Sequence, residues 1–271
     1  MDKTNNQLEE KYQLGLYYRN GSSVDLAILI FEELATKYHA PSLLQMGLIY
    51  LNRETKNSKN PNLASLAPSE TDSKAEFYFQ IAAGLGDLES CYQLGALICA
   101  HDMYRISDAI PWLIMAADKG HTNAQLELGG LYEFRHKPQQ AYQYYEKAAH
   151  SGQPSGKYHM AMLHFSNKVW PMGFEPKLFS FVPMIEQKRV ENYKQGFKYL
   201  SQAAEEEHAT AQYRLGLLLR DGLGEGTVKI CNVNKALAQT LFEAAAKNGE
   251  SRAKDILDGK EPYGHPRQGF G

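Results

Sequence analysis

A small residue, then Leu or Met four positions later, then at once another small residue, recurs along the chain. AQLELGGLY (Ala124, Leu128, Gly129, Tyr132) is its clearest form. AQYRLGLLL (Ala211, Leu215, Gly216), SCYQLGALI (Ser90, Leu94, Gly95), SLLQMGLIY (Ser42, Met46, Gly47) and EKYQLGLYY (Glu10, Leu14, Gly15) repeat it, and GKYHMAMLH (Gly156, Met160, Ala161) is a looser copy. Each copy is followed by a second pattern: a small residue, an aromatic or aliphatic at the third place on, and a small pair at the seventh and eighth. Its instances are Ala75/Tyr78/Ala82-Ala83, Ala109/Trp112/Ala116-Ala117, Ala141/Tyr144/Ala148-Ala149, Gly196/Tyr199/Ala203-Ala204 and Ala238/Leu241/Ala245-Ala246, with Ala27/Ile30/Leu34-Ala35 a degenerate one. Gly86, Gly120, Gly152 and Gly249 close four of these, Tyr38 and Glu207 the other two, and the first pattern restarts four residues after every closing position.

Both patterns have the period of an amphipathic helix, so each repeat predicts two antiparallel helices, and a closing Gly suits a left-handed helix end. First helices are expected at 7–20, 40–51, 88–100, 122–133, 154–165 and 209–221, and second helices at 24–38, 73–84, 106–119, 138–150, 191–206 and 233–247. A half-copy at Ala253 and Leu257 predicts a capping helix. Glycine inside a helix costs about 0.5–1 kcal/mol relative to Ala. Gly15, Gly47, Gly95, Gly129 and Gly216 share one mid-helix place, so close approach of the partner helix, with the Ala-Ala pair opposite, is expected to offset that cost. The fold class is therefore all-α: a solenoid of six helix pairs over about residues 7–38, 40–86, 88–120, 122–152, 154–207 and 209–249, a cap at 250–258, and an extended tail from 259 to 271.

The A-x-x-x-L-G-x-x-Y and A-x-x-W/Y-x-x-x-A-A-x-x-G runs resemble the Sel-one-like repeat family, relatives of the tetratricopeptide repeat, over about residues 7–258. The resemblance implies a right-handed superhelix of bacterial type, used as an adaptor or scaffold for protein complexes. One branch of the family pairs a Cys at the second Ala of A-A with a Cys before the next L-G. Here Cys91 fills the second place but Ala83 the first, so neither that disulfide nor the β-lactam binding of the branch carries over.

Successive copies begin at 10, 42, 90, 124, 156, 211 and 253, which marks three insertions. The polar stretch 52–72 is expected to be an extended, mobile loop. DGLGEGTVKICNVN reads as a slightly lengthened normal connection. The segment 166–190 carries Trp170, Phe174, Phe179, Phe181 and Met184 among prolines, so it either packs back on the solenoid or docks a partner.

The charge, 29 basic residues against 31 acidic, gives no cationic field for a phosphate backbone, so nucleic acid is not an expected partner. Cys91 and Cys99, on one expected helix, lie roughly 12 Å apart, too far for a bridge. Three reduced thiols, an amino terminus without a signal or anchor pattern, and no long apolar stretch point to a cytoplasmic protein without membrane insertion.

Nine histidines stand in no metal-binding or catalytic motif. His159 and His164 fall on different faces of one helix, and His39, His121, His150 and His208 lie beside the closing turns. No catalytic residue, metal site or cofactor is expected. What remains is a surface, because the first helices of such solenoids line the concave side. Tyr92, Glu133, Tyr158, Phe165, Trp170, Tyr213 and Arg220 are the expected partner contacts, an aromatic patch flanked by charge. The expected function is a non-enzymatic adaptor holding another protein. The family resemblance offers two alternatives: an immunity protein that neutralises a secreted bacterial toxin, and, behind it, a secreted-type hydrolase.

Overall fold

The repeat begins with one residue in the left-handed conformation. In the computed structural model, which describes residues 3–21, 23–52, 59–64, 66–101, 103–166, 182–225 and 228–260, all six closing positions have positive φ: 55° at Tyr38, 62° at Glu207, and 82–96° at Gly86, Gly120, Gly152 and Gly249. That residue and the next donate their N–H groups back to the small pair. Gly120 bonds the Ala117 carbonyl at 3.0 Å and His121 the Ala116 carbonyl at 3.0 Å. The Ala-Ala pair thus supplies the acceptors that end the second helix. The residue after the turn then caps the next first helix: Nδ1 of His121 accepts the Ala124 N–H at 3.2 Å, and Nδ1 of His208 accepts that of Ala211 at 3.1 Å. One residue ends a helix and the following one starts the next, which is why the pattern restarts at a constant distance.

The chain forms two compact units, Met1–Ala124 and Gln125–Gly271. In the first, α1 (Lys3–Asn20) pairs with α2 (Val24–Ala35), α3 (Ala40–Leu51) with α5 (Pro68–Gly84), and α6 (Leu88–His101) with α7 (Ile106–Asp118); α4 (Pro61–Ala64) is a single turn. The second unit contains most of α8 (Thr122–Phe134), paired with α9 (Pro138–His150). There α10 (Pro154–Phe165) pairs with α11 (Val182–Glu205), α12 (Ala209–Asp221) with α13 (Lys235–Lys247), and α14 (Ser251–Leu257) covers α13.

Within each pair the mid-helix glycine is a notch, and what fills it differs from expectation. The occupant is the residue four places after the small residue of the second helix, not the Ala-Ala pair: Phe31 at Gly15, Phe79 at Gly47, Leu113 at Gly95, Tyr145 at Gly129 and Phe242 at Gly216. A methyl group at Gly129 would lie 2.3 Å from Cε1 of Tyr145. The small residue that opens each first helix meets the preceding second helix instead. At Gly156 a methyl would strike the Tyr145 carbonyl at 2.5 Å and the Ala149 nitrogen at 2.6 Å. Aromatic and aliphatic side chains seated in these notches form the core.

The insertions correct the sequence reading in two places. The stretch 52–72 is not all extended loop: it contains α4, α5 starts at Pro68, and the Lys59 N–H donates to Asp25 of α2 at 2.8 Å. The connection before α13 is a hairpin, β1 (Leu223–Glu225) antiparallel to β2 (Val228–Cys231), with a bulge after Leu223. Leu223 and Cys231 are buried, and the Asn234 N–H donates to the Leu219 carbonyl at 2.7 Å, which returns the chain to α12. In the third insertion α11 begins at Val182, nine residues before the expected start, while Trp170, Phe174, Phe179 and Phe181 lie outside the described residues.

Candidate functional site

Each residue turns an α-helix by about 100°, so the notch glycine, which points at the second helix, fixes the direction of its neighbours. Three residues before it, or four after, a side chain points within about 60° of the second helix, and two residues before, it is turned about 200° away. Tyr92, Tyr158 and Tyr213 hold the first of these places, Glu133, Phe165 and Arg220 the second. The turned-out place is filled by Gln13, Gln45 and Gln93 in the first unit and by Glu127, His159 and Arg214 in the second.

The side chains follow that arithmetic. Phe165 is 1% exposed, lies against Gly196 of α11, and is a core ring rather than a surface contact. Tyr213, 6% exposed, tilts against Phe242 at 6.1 Å, and the Arg252 guanidinium lies over its ring at 4.8 Å. Tyr158 stacks on the cap of the next first helix, His208, at 4.9 Å, with the Arg214 guanidinium over its ring at 5.8 Å. In the first unit Tyr92 stacks on its own next cap, His121, at 4.8 Å, and Nε2 of His121 is 2.9 Å from Glu89. Glu133 accepts the Tyr145 hydroxyl at 3.2 Å, and burial together with that carboxylate pushes the Tyr145 pKa up. Arg220 is bidentate to Asp221 at 2.8 and 2.9 Å. Trp170 lies outside the described residues. The tyrosines before the notch therefore join one repeat to the next, and Phe165 and Tyr213 belong to the core beneath the face.

Sequence reasoning missed the turned-out row by one residue, although counting from the glycine would have found it. It also missed the group that closes the second unit's last junction. There the carboxylate of Glu250 accepts from Nε and Nη2 of Arg252 at 2.7 and 2.8 Å and from the Thr210 hydroxyl at 2.9 Å, and the Arg252 bonds hold its pKa down at about 2. His159 stacks on Tyr145 at 4.6 Å, and His164 stacks on Tyr199 at 5.7 Å; burial lowers the pKa of both. Both rings are packed against aromatic neighbours. Among the described residues no group of three or more His, Cys, Asp or Glu could hold a metal ion, and no helix is long and apolar enough to cross a membrane.

The family model of the Sel1 repeat matches residues 72–87, 88–121, 122–153, 186–208 and 209–250. No curated protein sequence matches the chain. A Sel1 repeat protein from Oxalobacter formigenes superposes with a TM-score of 0.65 at 17% identity, covering 96% of each chain. A protective antigen present in uropathogenic Escherichia coli strains, displaying an SLR fold, gives 0.63 at 20% identity over 98% of this chain, which spans 53% of that protein. An immunity protein from Pseudomonas aeruginosa superposes at only 0.48 with 15% identity, over 100% of this chain and 92% of that one.

Proposed function

The chain belongs to the Sel1 repeat family, and on that premise we propose that it is a non-catalytic adaptor that holds a partner protein on the face of its first helices turned away from the second helices. One observation carries this reading. Aromatic, apolar and small positions are committed to packing within and between repeats, whereas the turned-out place holds a hydrogen-bonding side chain in every copy: Gln13, Gln45, Gln93, Glu127, His159 and Arg214. Within each unit, such donors and acceptors above an aromatic layer suit recognition of a polar protein surface. In the second unit Tyr158, Phe165, Tyr213 and Glu133 hold the helices that present that face, and Arg220 is tied to Asp221. Three cysteines outside any disulfide, Cys91, Cys99 and Cys231, fit a reducing compartment such as the cytoplasm.

The test is affinity purification from the native cell with the parent chain and with Arg214→Glu and Glu127→Lys, each first shown to melt like the parent. A partner retained by the parent and lost from both charge reversals supports the reading. The same partner at parental amounts on both variants overturns it. A captured toxin would narrow the adaptor to an immunity protein.

A further inference from the structure

The turned-out place in the first unit is not merely polar: it is the same amide three times. Gln13 Nε2 donates to Glu9 at 2.7 Å and Gln93 Nε2 to Glu89 at 2.7 Å, so in both the glutamate four residues earlier holds the amide upright. Gln45 bridges to the preceding helix, donating to the Tyr12 hydroxyl at 3.3 Å and accepting from Arg19. Gln13 is exposed, and Gln45 and Gln93 are half-buried. The carbonyl oxygens of Gln13 and Gln93 accept no hydrogen bond among the described residues. Carboxylates stand along this face: burial raises the pKa of the Tyr12 hydroxyl and the charges of Glu9 and Asp87 raise it further, while the bond from Gln45 and the Arg19 charge lower it. In the second unit the residues in the places of Glu9 and Glu89 are uncharged Asn123, Ser155 and Thr210.

A glutamine side chain ends in one acceptor and one NH2 donor, the complement of a peptide group. An amide so placed can take both the N–H and the C=O of one residue of a polyproline-II chain whatever its side chain. Neighbouring packed helices stand on the order of 10 Å apart, and a polyproline-II chain makes one turn of three residues over about 9 Å, so one amide per repeat meets every third residue on the same side.

We propose that Gln13, Gln45 and Gln93 form a main-chain ladder that holds an extended peptide segment, with lysine or arginine side chains set between the amides against Glu9, Asp87 and Glu89. The segment is a basic, unfolded stretch of another protein, and its recognition is independent of the second unit's face.

Fluorescence anisotropy tests this with a labelled peptide of alternating lysine and threonine, a copy methylated on the backbone nitrogen of every third residue, and a glutamate-threonine copy. The lysine peptide is expected to bind saturably, the methylated copy about tenfold more weakly or worse, and the acidic copy not at all. The double variant Gln13→Leu, Gln93→Leu should lose about tenfold in affinity, and Glu9→Gln with Glu89→Gln, which keeps the amides, should weaken the lysine peptide alone. Arg214→Glu should leave this binding unchanged, which separates it from the adaptor reading above. Equal affinity for the methylated peptide reduces the effect to charge and overturns the ladder, as does parental binding by the leucine variant, or no saturable binding of the lysine peptide.

Discussion

Two residues before the notch, the first unit carries Gln13, Gln45 and Gln93, and the second carries Glu127, His159 and Arg214. Around that place the units are built alike. Each seats a large apolar side chain in its glycine notches, aromatic everywhere but at Gly95, each ends its second helices on left-handed residues, and each lays a histidine cap on the tyrosine of the preceding repeat: His121 on Tyr92, His208 on Tyr158. The packing places are constrained because an added methyl collides there, whereas the place two residues before the notch holds Gln, Glu, His or Arg in different copies. Chemistry changes at that place from one copy to the next while the repeat packing stays the same.

The largest effect should come from breaking the part the units share. Gly47→Ala in the first unit and Gly129→Ala in the second bring a Cβ to 2.4 Å from the Phe79 ring and 2.3 Å from the Tyr145 ring. Alanine's better helix propensity recovers part of the loss, so each should destabilise by about 2 kcal/mol in urea melts. Gly95→Ala brings a Cβ to 2.5 Å from Cγ of Leu113, the branch carbon of a fully buried side chain, and should lose about as much. A Gly129→Ala loss beside a neutral Gly47→Ala would show that the units do not share one packing rule.

Most of this frame was legible from the spacing of small residues, because a helix notch needs glycine and a tight turn needs a left-handed residue. Six first helices and six second helices were placed, several to the residue. What escaped lies where neighbours in space decide. The residue that fills the notch varies among Phe, Leu and Tyr, so it has no fixed letter to find. The hairpin at Leu223–Cys231 depends on the burial of its two end residues beside α12, and α11 runs earlier than its repeat pattern. The expected contact set failed at Phe165 through one error of direction. A place four residues after the glycine looks exposed on a linear count but points along the second helix.

Acid should separate the units next. Burial lowers the pKa of His39 in the first unit and of His159, His164 and His208 in the second. Such a group takes its proton more readily when unfolded. The stability it contributes is full above the ordinary value of 6.5 and is lost as pH falls through the lower folded value. Protonated Nδ1 of His208 can no longer accept the Ala211 N–H, a loss of roughly 1 kcal/mol for one cap. Hydrogen-exchange protection factors, which correct for the slower intrinsic exchange in acid, should therefore fall more in α10 and α12 than in α3 on moving from about pH 7.5 to about pH 5. His208→Asn, which keeps an acceptor in the cap, should remove most of the change in α12. An equal fall in protection in both units would mean the caps do not set their acid response.

The smallest effect tests whether the two units turn their repeats in the same way. Tyr38 in the first and Glu207 in the second occupy the left-handed position that glycine holds at the other four closing turns, with φ of 55° and 62°. A side chain there crowds its own carbonyl, a cost of roughly 1–2 kcal/mol. Glycine removes that cost but loses about 0.5–1 kcal/mol of chain entropy on folding, so Tyr38→Gly and Glu207→Gly should each stabilise by about 0.5 kcal/mol. Both side chains are exposed, and the turn bonds use the backbone of these residues, such as His208 N–H to the Ala203 carbonyl at 3.1 Å and Asn248 Nδ2 to the Glu207 carbonyl at 3.3 Å. Nothing in the turn needs the side chain, and the two gains should match and add in urea melts of the double variant. A gain at Glu207 beside a loss at Tyr38 would show that the Tyr38 ring, standing just before the His39 cap, supports the junction over which the first unit's glutamine row is carried.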